Sequence, residues 1–322
     1  MTAPRILVVR LGSMGDVIAA LPAVASLKHS IPHSKITWVI DPKWSLLLEG
    51  NPYVDSVVHL DRRPTFTALR EAWSELRAGR FDFAVDFQGL VKSAIVATLA
   101  RPERIFGFNA EYAREGPASW FYSTKVPIRS YHAVDRNLDL AAAAGASSIL
   151  RTFPLPPGEP EAALPARDFV LASPLAGWGA KQWPLEFYTK LADRLRRECG
   201  MPLVLDAPQP LDVEGAWPHV STLAGLIYAT RRATAVVGLD SGPLHLAAAL
   251  GKPGVAIYGP TDPARHGPYG GTIRVLRATG AETTYRRSME PHDTMREITP
   301  DQVFEALEPV ISAPRGAEHK TR

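Results

Sequence analysis

Short apolar runs alternate along the chain with segments of helical spacing. Residues 5–11 (RILVVRL) form the first run, and 17–29 follow with Ile18, Leu21, Val24, Ala25 and Leu27 spaced for one helix face. Residues 36–40 and 54–60 are short and β-branched, 66–78 reads as an amphipathic helix, and 81–87 as another strand. Runs that are apolar on both faces and separated by helices predict a parallel sheet covered on both sides, an α/β architecture.

The alternation stops at residues 153–165, where Pro154, Pro156, Pro157, Pro160 and Pro165 rule out a helix or a central strand. It then restarts. Strands are expected at 169–173, 203–206, 235–239 and 254–258, and helices at 185–197, 222–231, 244–250 and 300–311. A length of 322 residues fits two cores of roughly 150 each. The expected organisation is two Rossmann-like, doubly wound domains, 1–155 and 167–322, joined by a linker at 156–166 and facing each other across a cleft. The last helix is a candidate to pack back on the first domain, and the polar tail after Ser312 is expected to be loose.

Composition narrows the class. Hydrophobic residues make up 46% and charged residues 21%, which excludes a disordered chain. No run approaches the ~18 apolar residues of a membrane span, and the first residues lack the layout of a signal peptide. A single cysteine, Cys199, excludes an internal disulfide. These features predict a cytoplasmic protein. The net charge of +3 arises in residues 1–160, with 18 Lys/Arg against 15 Asp/Glu, whereas residues 161–322 hold 18 of each. That surplus fits an anionic ligand, an anionic membrane face or a scattered solvated surface equally well. Dense basic runs interleaved with aromatics do not occur, so nucleic acid is not an expected partner.

Four loops at predicted strand ends carry the candidate chemistry, because ligands of open α/β sheets bind outside the carboxyl ends of the strands. The first is Gly12-Ser13-Met14-Gly15-Asp16, where Asp16 would either cap the next helix or act on a ligand. The second, residues 176–184, sets Lys181 after flexible glycines, where it could reach a phosphate as a mobile point charge. The third, Gly238 to His245, combines a strand end with a helix N-terminus suited to anions. Gly242 removes side-chain bulk there, and Ser241 and His245 are spaced to share a helix face. The fourth, residues 258–263, offers Thr261 and Asp262 as nucleotide contacts or simply as turn residues. Neither G-x-G-x-x-G nor a G-K-[ST] phosphate loop is present, which weakens dinucleotide and P-loop readings. No D-x-D pair occurs, so a metal-dependent sugar-nucleotide site is not indicated and no metal or cofactor is expected.

Seven segments in order resemble family 9 glycosyltransferases, the heptosyltransferases of lipopolysaccharide inner-core synthesis. They are SMGD at 13–16, DFQGLVKSA at 86–94, AREG at 113–116, HAVDR at 132–136, KQWP at 181–184, LDSGPLHLAAAL at 239–250 and YGPTDP at 258–263. GLVKSA, ARE and HAVDR are nearest to the heptosyltransferase I branch. The resemblance implies a GT-B fold, an ADP-heptose donor (a substrate, not a cofactor) on the second domain, and a Kdo-lipid A type acceptor on the first, with inversion at the transferred sugar. It makes Asp16 the general base. It sets Lys181, Ser241, Gly242 and His245 toward the donor diphosphate, with Asp240 ordering that turn. Gly15, Arg114 and Arg136 fall at acceptor positions, with Arg62, Arg63 and Lys92 as further candidates.

The sequence departs from the family pattern at 207–214, where Pro208 and Pro210 interrupt an acidic helix and leave Asp212 or Glu214 to take its role. It also carries Gly177-Trp178-Gly179 in place of a threonine-rich stretch. Another family 9 transferase with a different donor or acceptor, or a sugar-nucleotide epimerase or hydrolase, would use the same frame. An amphiphilic acceptor implies a peripheral contact with the inner-membrane surface. Trp120-Phe121-Tyr122 is a candidate for that contact, with core packing as the stronger expectation for its rings.

Overall fold

The computed structural model describes residues 3–61, 65–284 and 288–312. The chain divides into two compact units, Met1–Pro156 and Pro157–Arg322, within the proline-rich stretch. The first unit contains strands β1 (Arg5–Val9), β2 (Lys35–Ile40), β3 (Ser56–His59), β4 (Phe83–Asp86), β5 (Arg104–Phe108) and β6 (Thr124–Val126). They form one sheet in the order β3-β2-β1-β4-β5-β6, with every pair parallel. Its helices are α1 (Met14–Ser30), α2 (Phe66–Gly79), α3 (Val91–Leu99) and α4 (Ala133–Ala143). Side chains alternate across a strand. Leu7, Val9 and Ile105 therefore meet Ala72 and Leu76 of α2, Ala94 and Ala97 of α3, and Ala118 of a 3₁₀ turn at Gly116–Phe121. Helices α1 and α4 pack on each other.

The second unit repeats this plan. Strands β7 (Val170–Ala172), β8 (Leu203–Ala207), β9 (Trp217–Val220), β10 (Ala235–Leu239), β11 (Gly254–Tyr258) and β12 (Ile273–Arg277) are ordered β12-β11-β10-β7-β8-β9, again all parallel. Counted from its own first strand, this is the order of the first sheet. Its helices are α5 (Leu185–Cys199), α6 (Leu223–Arg232), α7 (Gly242–Ala249), α8 (Pro263–His266), α9 (Asp293–Arg296) and α10 (Pro300–Ile311). Helix α10 packs on α5, β10 and β11, and it buries Val303, Phe304 and Leu307 in a core with Trp183 and Tyr188. A reciprocal cap starts it, since Thr299 N–H donates to Gln302 Oε1 and Gln302 N–H to Thr299 Oγ1. The linker lies along this unit, where the Glu161 carboxylate accepts from Thr222 at the start of α6.

Apolar patterning does not reveal β5, β6, β9 and β12. Three of these are edge strands, which are short and polar on one side, and β9 carries Pro218, which is tolerated at an edge. Helix α1 corrects a further expectation. It begins at Met14, three residues earlier than its spacing predicts, because Ser13 and not Asp16 is its N-cap.

In each sheet the crossovers change direction once, between β1 and β4 and between β7 and β10, and the loops beyond those strands diverge over the gap. The first gap is braced by Asp86, which is fully buried at the end of β4. Its Oδ1 accepts from Gln88 N–H at 2.8 Å and Gly89 N–H at 3.3 Å, and its Oδ2 from Ser93 Oγ and Tyr122 Oη at 2.7 Å each. Burial raises its pKa, and those four donors oppose the rise. Gln88 then carries the brace across, accepting Leu11 N–H on Oε1 at 2.9 Å. Asp86→Ala strips four buried donors of their acceptor and should cost roughly 3 kcal/mol of stability, measured by urea unfolding.

Candidate functional site

In the first unit, Asp16 stands in the first turn of α1, and its two oxygens have different partners. Oδ1 receives Arg10 Nη2 at 2.5 Å and Arg114 Nη2 at 2.7 Å. Oδ2 receives Ser13 N–H and Ser13 Oγ at 3.0 Å each. The two arginines differ in freedom. Arg10 is 6% exposed and also donates to the Phe87 carbonyl, whereas Arg114 is 46% exposed. Burial on its own would raise the Asp16 pKa, but the charges of Arg10 and then Arg114, with the Ser13 bonds, hold it well below the usual carboxylate range. Burial in turn pulls the Arg10 guanidinium down to about 10, against the attraction of Asp16.

The other predicted residues of this unit are placed in different ways. Gly15 is buried in the first turn of α1. Arg136 donates to the Tyr112 carbonyl at 2.7 Å and lies over the Phe108 and Tyr112 rings, so it braces the segment that carries Arg114. Lys92 is exposed on α3 and reaches the Asp61 carbonyl at 3.4 Å. Arg62 and Arg63 lie outside the described residues.

In the second unit, Lys181 and Asp240 join the loops beyond β7 and β10 across the second gap. The Lys181 ammonium pairs with Asp240 Oδ2, stands 3.5 Å from the Asp240 carbonyl, and lies 3.9 Å from the centroid of the Trp178 ring. Both partners are nearly buried, at 11% and 10% exposure. Gly179 lets the chain come close at this loop, because a Cβ there would lie 1.7 Å from the Met289 carbonyl oxygen. Ser241 is the N-cap of α7 and not a member of its face, and His245 N–H donates to the Ser241 carbonyl at 3.4 Å. Gly242 opens the helix, with Pro243 next to it in the first turn. The hydroxyls of Ser241 and Thr261 are buried without a hydrogen-bond partner, an uncommon state for buried polar atoms. Asp262 caps α8, accepting Ala264 N–H at 2.9 Å. Asp212 and Glu214 lie in the irregular stretch between β8 and β9.

Sequence reasoning missed Arg10 and the Asp86 brace. Arg10 was legible only as a cation near the end of an apolar run, six residues before an acid. It also missed a second buried cluster, in which Asp206 Oδ1 meets both His219 Nδ1 at 2.8 Å and Ser221 Oγ at 2.7 Å.

Comparison with known proteins gives the family. Residues 69–215 and 220–294 match the model of glycosyltransferase family 9 (heptosyltransferase). Lipopolysaccharide heptosyltransferase 1 of Escherichia coli O18:K1:H7 is 33% identical over 86% of this chain and 93% of its own length. The structure of E. coli heptosyltransferase WaaC with ADP matches with a TM-score of 0.78 and 28% identity over 95% of this chain and 99% of that one. WaaC with ADP-2-deoxy-2-fluoro heptose matches with a TM-score of 0.75 and 27% identity over the same shares. The chain belongs to glycosyltransferase family 9, the heptosyltransferases, and has their GT-B fold of two Rossmann-like units.

Asp16 also sets a pH dependence. Its folded-state pKa lies below its unfolded value of about 4, so the stability it contributes is complete above that pH and is lost as pH falls through the folded-state value. The stability gap between the parent and Asp16→Asn should be constant near neutrality and narrow below about pH 4, read from urea midpoints across pH. In Arg114→Ala, the Asp16 carboxyl carbon resonance should titrate at higher pH than in the parent.

Proposed function

We propose that this chain transfers a heptose from ADP-heptose to a Kdo-lipid A type acceptor, with inversion at the transferred sugar, in lipopolysaccharide inner-core synthesis at the cytoplasmic face of the inner membrane. The observation that carries this reading is the set of charged side chains gathered at each of the two sheet reversals. A carboxylate held among cations stands on one unit, and a lysine with a helix N-terminus and two unpartnered hydroxyls stands on the other.

The chemistry follows from these groups. The acceptor hydroxyl attacks the anomeric carbon, its proton passes to Asp16, and the bond from that carbon to the diphosphate breaks, leaving ADP with the electron pair. Lys181 and the N–H groups at the start of α7 stabilise the departing charge, and Ser241 and Thr261 donate to its oxygens. Asp240 positions the lysine beforehand. A carboxylate gripped by two guanidinium groups is a weak base. An acidic acceptor sugar draws off the exposed Arg114 and leaves Asp16 with the buried Arg10 alone, which makes it more basic when substrate arrives.

The test is acceptor-dependent ADP release from ADP-heptose with Kdo-lipid A. Asp16→Ala should lower turnover by at least about a thousandfold while leaving ADP affinity within about twofold. Turnover close to that of the parent would remove Asp16 as the base. Lys181→Met should weaken ADP binding by roughly tenfold or more, measured calorimetrically. ADP release that needs no acceptor would favour a sugar-nucleotide hydrolase.

A further inference from the structure

Helices α2 and α3 and the Gly116–Phe121 turn lie side by side on one face of the first sheet, and their inner surfaces fill its core. Their outer surfaces are also apolar. Trp120 is 78% exposed, and Leu69, Trp73, Ile95, Leu99 and Phe121 are each more than a third exposed. Six large apolar side chains on three neighbouring elements exceed the scatter of single exposed residues on an ordinary surface. Tyr122, next in line, is buried against Asp86, so the expectation of core packing holds for that ring and fails for Trp120.

On α2, charge is sorted around this surface. At about 100° per residue, Arg70 and Arg77 lie roughly 60° and 40° from Trp73 on α2, whereas Glu71 and Glu75 lie about 160° away. The Arg77 guanidinium stands 5.5 Å from the Trp73 ring centroid. On α3, Lys92, Ile95 and Leu99 share one side, and that helix carries no carboxylate. Tryptophans beside cations suit the boundary between anionic headgroups and acyl chains, and the Glu115 carboxylate next to this surface is held by the Val91 N–H at the start of α3. The surface is continuous along the chain with the candidate site. Arg114, on Asp16, lies six residues before Trp120, and Glu115 between them ties the segment to the start of α3 by accepting Val91 N–H at 2.8 Å.

We infer that the outer surface of α2, α3 and residues 116–121 docks this chain on an anionic lipid bilayer, bringing the segment of Arg114 to the headgroup level. Among the described residues no helix is long and apolar enough to cross a membrane, so the contact is peripheral. The inference rests on the proposed amphiphilic acceptor for its purpose but not for its test.

Co-sedimentation with vesicles of phosphatidylcholine, alone or with about a third phosphatidylglycerol, needs neither donor nor acceptor. The parent should bind the anionic vesicles at least about tenfold more tightly than the neutral ones, and less so at high salt. The double variant Trp73→Ser/Trp120→Ser should lose at least about tenfold in that binding with its melting temperature retained, since both rings are exposed. Arg70→Glu/Arg77→Glu should lose binding at low salt only. Transfer to a deacylated, water-soluble acceptor should be unchanged in the tryptophan variant, and transfer to vesicle-embedded acceptor should fall. Equal vesicle binding by parent and tryptophan variant would overturn the inference. So would a parent that self-associates and ignores vesicles while the variant is monomeric, which would make this surface a subunit interface. Loss of transfer to every acceptor with vesicle binding intact would instead count against the proposed reaction.

Discussion

A parallel sheet whose crossovers reverse direction between two adjacent strands cannot close over that point. The loops leaving the two strands part, and the ladder supplies no hydrogen bonds beyond the last residues. Whatever polar groups stand there must be satisfied by side chains or by a ligand. In this chain the first reversal is satisfied by side chains. Asp86 fixes Gln88, Gln88 fixes Leu11, and Arg10 reaches both the Phe87 carbonyl and Asp16. Asp16 thus owes its place both to the start of its own helix and to a buried arginine anchored on the neighbouring strand.

The second reversal also pairs a cation with a carboxylate. A lysine from the loop after β7 crosses to a carboxylate at the end of β10, and a tryptophan face covers the ammonium. A nearly buried lysine without a counter-charge would be strongly unfavourable. Asp240 therefore explains why Lys181 can stand near the helix N-terminus at all, where the dipole alone repels a cation. Glycine at 179 belongs to the same arrangement, because the backbone at Met289 lies where any larger residue would place its Cβ.

How much of this could be read from the sequence depends on the kind of interaction. Central strands such as β1, β10 and β11, and amphipathic helices such as α5 and α10, were legible because burial on fixed faces imposes a period on the residues. Loops bearing Asp16, Lys181 and Asp240 were legible because strand ends and glycines mark them. The Arg10–Asp16 pairing was hidden, since two arginines, one from β1's end and one ninety-eight residues beyond Asp16, converge on one oxygen. No local pattern encodes such a convergence. Ser13 was passed over for the same helix start because an acid and a serine cap equally well, and only the bonds from Ser13 to Asp16 decide between them.

The two ion pairs share a consequence for ligand binding. Each holds a charge in a nearly dehydrated place, and the first has one partner open to solvent. Arg114 is the exposed member of the first set, and Asp240 bridges Lys181 at the mouth of a helix that also favours anions. Much of the cost of removing these charges from water is met during folding. In the proposed reaction, an acceptor carboxylate that takes over Arg114 exchanges for an existing partner and does not have to bring a bare charge out of solvent, so the free energy of its arrival depends on the difference between two ion pairs. For Asp16 that difference would favour departure of Arg114 and not of Arg10, because Arg114 is the exposed partner and Arg10 is buried.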